Sequence, residues 1–151
     1  MDKQEINVKA FLKLIRYALH KREDNIVYYL LYGGTQTFSD LSKHPDKQIR
    51  AWGKESTAAG AYHILKSSYD EAVANGIIRD FMPSSQDELA IWMLRKRGVL
   101  ELVKSGDIAH AVFQLRNEWV SLPGASQSKM TMQEAKELFE RYAKEYSDKE
   151  L

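Results

Sequence analysis

Four histidines, His20, His44, His63 and His110, are the residues most able to hold a metal, but no two stand at the i, i+4 spacing that puts a ligand pair on one helix face. The chain has no cysteine, which removes thiol catalysis, disulfides and every thiolate-ligated metal. Neither a metal nor a cofactor is expected. Gly33-Gly34 is an isolated turn signal without the further glycines or the Lys-Ser/Thr of a phosphate loop. No G-x-S-x-G elbow is present, so serine hydrolysis has no support. Acid–base chemistry falls to carboxylates, and Glu23, Asp24, Asp40, Asp46 and Glu55 gather in one stretch. Tyr28, Tyr29, Tyr32, Phe38 and Trp52 share it. Such aromatics suit either the apolar faces of sugar rings or a packing layer between sheet and helices.

The elements that must position these groups are mainly helical. A helix following Asn7 as cap, with Phe11, Leu14, Ile15 and Ala18 on one face, is predicted to run to about His20. The branched and aromatic run from Ile26 to Tyr32, closed by Gly33-Gly34, reads as a strand, followed by short strands and loops as far as Glu55. From Ser56 or Thr57 as cap, a second helix is predicted through Ala61, Ile64, Leu65 and Tyr69 to Gly76. Ser85 with Glu88 forms a capping-box pattern opening a third helix that ends at Gly98. A short helix over Val99 to Lys104 follows, and then one capped by Asp107 and extending through Trp119. SLPGASQSK breaks the pattern, and Thr131 with Glu134 caps the last helix.

The chain has 151 residues, 44% of them hydrophobic, which suits one compact domain over 1–151. Its 22 basic and 21 acidic residues give a net charge of +1, not the basic excess of a general nucleic-acid binder. The longest apolar run is far short of the roughly 20 residues a bilayer span needs. The first residues, MDKQEINVK, lack the apolar core of a secretory signal. The expectation is a soluble monomer that neither inserts into membrane nor binds nucleic acid.

Taken in order, KAFL at Lys9–Leu12, YGG at Tyr32–Gly34, FSDLSKHP at Phe38–Pro45 and ESTAAGAYHIL at Glu55–Leu65 resemble the phage lambda lysozyme family of endolysins. SSQD at Ser84–Asp87, KRG at Lys96–Gly98, SGDI at Ser105–Ile108 and WVSLPGA at Trp119–Ala125 extend the resemblance, which covers residues 9–145. It implies an α+β, mainly helical, lysozyme-like fold: a helical lobe and a small β-containing lobe, near residues 24–54, flanking a cleft for peptidoglycan glycan strands. It also implies a lytic transglycosylase that cuts the bond between N-acetylmuramic acid and N-acetylglucosamine. A single glutamic acid serves as acid and then base, and the C6 hydroxyl of muramic acid attacks to leave a 1,6-anhydro product.

Alignment from Lys9 brings the family's glutamate position to Leu19, which cannot move a proton. The resemblance therefore implies a chain that is inactive as written. Read from periodicity alone, Leu19 merely widens the apolar stripe. Glu23, or Asp24 beside it, is the fallback acid if the loop after the first helix folds back, with Glu23 the first candidate. Ser56, Thr57, Tyr62 and His63 are expected on the cleft floor, with His63 where the family has glutamine. Trp52, within Arg50–Lys54, and Pro123, Gly124 and Gln127 are expected on two lips over the glycan, with Trp119 supporting one from beneath. The alternative is a glycan-binding protein that kept the cleft without the chemistry. The resemblance further places the protein in the host cytoplasm until a holin opens the way to the cell wall.

Overall fold

The computed structural model describes residues 1–125 and 128–149. The chain forms two compact units, one of Met1–Lys21 with Met93–Leu151 and one of Arg22–Trp92. The boundary falls inside a helix, α3 (Pro83–Lys96).

In the helical unit, α1 (Lys3–His20) packs on α4 (Leu100–Ser105) and α6 (Met132–Asp148), and α5 (Ile108–Gln114) packs on α4 and α6. α1 starts earlier than the sequence suggested. Asp2, not Asn7, is its cap, accepting the Glu5 N–H at 2.9 Å. Asn7 lies inside the helix, buried, and its Nδ2 donates to the Lys104 carbonyl at 2.8 Å, tying α1 to the end of α4. The other end is as predicted: Lys21 turns left-handed at φ 58° and its N–H returns to Tyr17. The cap on α6 is also as predicted, Thr131 accepting the Glu134 N–H at 3.1 Å. α5 is shorter than expected, because after Gln114 the apolar pattern continues through turns to a buried Trp119.

The β-containing unit departs more from expectation. The run read as a strand begins as a 3₁₀ turn, Asn25–Tyr29, started by Asp24 accepting the Ile26 N–H at 3.2 Å. Leu30 and Leu31 make only single bridges, to Thr37 and Ala59. The sheet is an antiparallel hairpin of β1 (Ile49–Ala51) and β2 (Lys54–Ser56), with Arg50 opposite Glu55. The second helix, α2, covers only Lys66–Ala74. Its N-cap is Leu65, not Ser56 or Thr57, and Thr57 reaches it only from nine residues away, its Oγ1 accepting the Lys66 N–H at 3.1 Å. The residues between are folded into a tight loop instead of helical turns. α3 begins at Pro83, earlier than the Ser85 cap predicted. Proline needs no N–H partner in a first turn, and Ser85 donates its hydroxyl to Asp80 at 2.6 Å.

Candidate functional site

In the β-containing unit, two tight turns bring two rings together. Trp52 and Gly53 are the two residues between β1 and β2, at φ 50° and 79°. Positive φ at both positions is the signature of a type I′ hairpin turn, natural for Gly53 and costly for a tryptophan. The second turn is closed by Ala59 and Ile64, whose N–H groups bond each other's carbonyls at 3.0 and 2.9 Å, and ends with His63 at φ 49°. Tyr32 lies between the two. Its ring meets Trp52 edge-on with centroids 5.0 Å apart and His63 at 6.3 Å, and Trp52 and His63 are 6.5 Å apart. Tyr32 is buried and His63 half-buried, whereas Trp52 is 69% exposed. Trp52 thus combines a left-handed backbone with a large exposed ring, which makes it the candidate contact residue of this unit.

The second turn is anchored from below by α3. Gln86 is fully buried; its Oε1 accepts the Ala61 N–H at 2.9 Å and its Nε2 donates to the carbonyls of Tyr28 and Phe81, both at 3.0 Å. Next to it, Asp87 Oδ1 accepts the hydroxyls of Tyr28 at 2.8 Å and Tyr62 at 2.5 Å. Sequence reasoning assigned neither Gln86 nor Asp87 a role, although both lie in the SSQD segment. Tyr62, expected on the cleft floor, is fully buried. Its ring packs edge-on against Tyr28, with centroids 6.3 Å apart, and its hydroxyl is held by Asp87. Ser56 and Thr57 are half-buried with their hydroxyl oxygens already engaged, Ser56 Oγ accepting the Ala58 N–H at 3.0 Å and Thr57 Oγ1 the Lys66 N–H. Of the residues expected to touch glycan in this unit, the structure brings Trp52 and His63 together.

In the helical unit, Leu19 is the penultimate residue of α1 and half-buried, one helical turn beyond the buried Ile15. Glu23 belongs to the β-containing unit, past the left-handed Lys21, and is exposed. Pro123 is buried, Gly124 is exposed at φ 90°, and Gln127 lies outside the described residues. Trp119 is 3% exposed, which suits a support more than a contact. Among the described residues no group of three or more His, Cys, Asp or Glu side chains is arranged to hold a metal. No helix among them is long and apolar enough to cross a membrane.

The chain is similar to known proteins over nearly its whole length. The Endolysin family model matches residues 9–148. The endolysin of Escherichia phage lambda is 35% identical over 123 residues, covering 78% of this chain and 77% of the relative. That of Escherichia phage P2 is 35% identical over 133 residues, covering 79% and 81%. Among solved structures, bacteriophage lambda lysozyme complexed with a chitohexasaccharide matches with a TM-score of 0.78 at 31% identity, over 97% of this chain and 96% of the other. A second structure of lysozyme from bacteriophage lambda gives 0.77 at 28% identity. The α+β architecture is the lysozyme-like one that the motifs implied.

Proposed function

The chain belongs to the endolysin family, whose members degrade peptidoglycan, and we propose that it carries a lytic-transglycosylase site in which Leu19 occupies the acid–base position. In that reaction a carboxylic acid protonates the glycosidic oxygen as it leaves, and the resulting carboxylate takes the proton of the attacking C6 hydroxyl of muramic acid. The C1–O bond to N-acetylglucosamine breaks, a C1–O6 bond forms, and no water is consumed. Leucine has no proton to give. The observation that carries the reading is a half-buried leucine in the last turn of α1, ten residues after the Lys9 that opens the KAFL motif. The chain as written is then a glycan binder that does not cut, made in the host cytoplasm and reaching the wall once the inner membrane is opened.

Removal of one carboxyl leaves the rest of the surface intact, so the chemistry should be recoverable. Purified peptidoglycan incubated with this chain and with Leu19→Glu, and analysed by mass spectrometry, is expected to release anhydro-muropeptides only with the variant. A folded but inert Leu19→Glu would overturn the assignment of the acid–base position to Leu19. Equal product from both chains would move the role to another carboxylate, with Glu23→Gln the next variant to make.

A second reading is a dedicated glycan-binding protein, and Trp52 favours it. A solvent-exposed indole held by Tyr32 and His63 suits the apolar face of an N-acetylhexosamine whether or not a bond is cut. A binder holds chitohexaose intact and stays inert even as Leu19→Glu.

A further inference from the structure

In the helical unit, Phe113 is the penultimate residue of α5 and 53% exposed, although its neighbours Ala111, Val112 and Leu115 are completely buried. Arg116 lies over its ring with the guanidinium carbon 3.8 Å from the centroid, and Nη1 donates to the Phe113 carbonyl at 2.7 Å. Two independent contacts thus fix a guanidinium that in most surface arginines is mobile. Arg22, Arg50, Arg97 and Arg141 are each paired with a carboxylate, of Asp24, Glu55, Glu118 and Glu145. Arg116 has no carboxylate within ion-pair distance among the described residues, and the acid nearest it in sequence, Glu118, is committed to Arg97.

Gly124 lies directly against this pair: a methyl group on it would sit 3.7 Å from Phe113 Cδ2 and 3.8 Å from Arg116 Cδ. The patch is therefore continuous with the Pro123–Gly124 segment that the resemblance assigns to a glycan lip. A guanidinium held in place keeps its remaining N–H groups as a planar fork, which matches a carboxylate at low entropic cost. The exposed part of the Phe113 ring offers apolar surface beside it.

We propose that Phe113 and Arg116 form a subsite for a carboxylate carried by peptidoglycan, on the muramic acid lactyl group or on its stem peptide. The proposal rests on the glycan-binding reading above and adds a discrimination to it. Chitin-type oligosaccharides carry no carboxylate, whereas every second sugar of a peptidoglycan strand does, so the subsite favours the second over the first.

The test is calorimetric titration of the full chain and of Arg116→Gln with three probes: chitohexaose, peptide-free peptidoglycan glycan with its lactyl carboxylates, and a glycan fragment bearing stem peptides. Circular dichroism confirms that the variant is folded. Arg116→Gln is expected to weaken at least one of the two anionic probes by about tenfold at low salt, less at high salt, and to leave chitohexaose unchanged. Because a stem peptide is joined to the lactyl group through an amide, a loss confined to peptide-free glycan assigns the lactyl carboxylate, a loss confined to the stem-bearing fragment assigns a carboxylate of the peptide, and a loss on both assigns a site that takes either. Unchanged affinity for both anionic probes, or an equal loss for chitohexaose, overturns the subsite while leaving the glycan reading in place. If no probe binds the unmodified chain, the glycan reading falls and the subsite with it.

Discussion

A methyl group at Gly60 has no room: its carbon would sit 2.3 Å from Gln86 Oε1 and 2.9 Å from Gln86 Cδ, and the backbone there is left-handed at φ 77°. The glutamine cannot swing aside, since its amide makes three hydrogen bonds to buried backbone groups. Gly60→Ala therefore combines a steric clash with backbone strain and is expected to cost roughly 2–4 kcal/mol, read as a fall in the urea midpoint. A loss under about 0.5 kcal/mol would show that Gln86 is not the rigid strut its bonds describe. Composition and spacing gave no hint of this strut. Gln86 and Asp87 meet Gly60, Ala61 and Tyr62 across some 25 residues of chain, and a contact of that range leaves no periodic trace in either segment. Leu19 shows the opposite limit, because its periodicity is that of an ordinary core residue and only alignment to a family gives it a chemical meaning.

The hairpin of β1 and β2 carries a conflict between its turn and its tip. A type I′ turn favours Asn-Gly, and this chain has Trp52-Gly53 with the indole 69% exposed. Trp52→Asn is expected to stabilise the hairpin by up to about 1 kcal/mol while weakening chitohexaose binding, a trade checked by thermal unfolding beside titration. If stability falls and binding is unchanged, the indole is there for packing against Tyr32 and not for a ligand. Among the elements, those whose signal is local were legible in the sequence. Thr131 and Glu134 start α6 through bonds spanning three residues, and α1 ends at His20 as its pattern requires. The elements misread depend on distant partners. Ile26–Tyr32 has the composition of a strand, yet Asp24 starts a 3₁₀ turn and the available partners, Thr37 and Ala59, supply only single bridges. Thr57 is not the N-cap the sequence suggested, a position held by Leu65, because Gly60 and the Ala59–Ile64 closure fold the intervening residues into a loop; its hydroxyl reaches the first turn only as a distant acceptor of the Lys66 N–H.

Across the whole molecule 22 basic and 21 acidic residues nearly cancel, so sensitivity to mild acid must come from particular groups and not from net repulsion. Asp24, Asp40, Asp80 and Asp107 all have their pKa lowered, chiefly by side-chain hydrogen bonds from Arg22, Ser42, Ser85 and His110. What they contribute to stability is present above the ordinary aspartate value of 3.8 and is lost as pH falls through their depressed values, in strong acid only. His44 acts earlier. Its ring is 1% exposed between Tyr69 and Phe81; Nδ1 accepts the Asp46 N–H at 2.9 Å, which leaves the proton on Nε2 to be donated to the Ile64 carbonyl at 2.7 Å. Burial holds its pKa below the ordinary 6.5, outweighing the raising effects of the Ile64 bond and of Asp46 and Asp70. Below pH 6.5 the unfolded chain takes up a proton that the folded chain refuses. Its contribution is thus complete above 6.5 and declines as the pH drops, by at most about 1.4 kcal/mol per pH unit, until the folded ring itself titrates. Charging Nδ1 also breaks the Asp46 bond, while the Nε2 bond to Ile64 is kept. Urea unfolding at pH 8, 6 and 5 is expected to show the midpoint falling between 8 and 5 in the unmodified chain and nearly level in His44→Gln, which keeps a donor and an acceptor without a titrating ring. Parallel curves would assign the acid sensitivity to the carboxylates, and the decline would then begin only near pH 4.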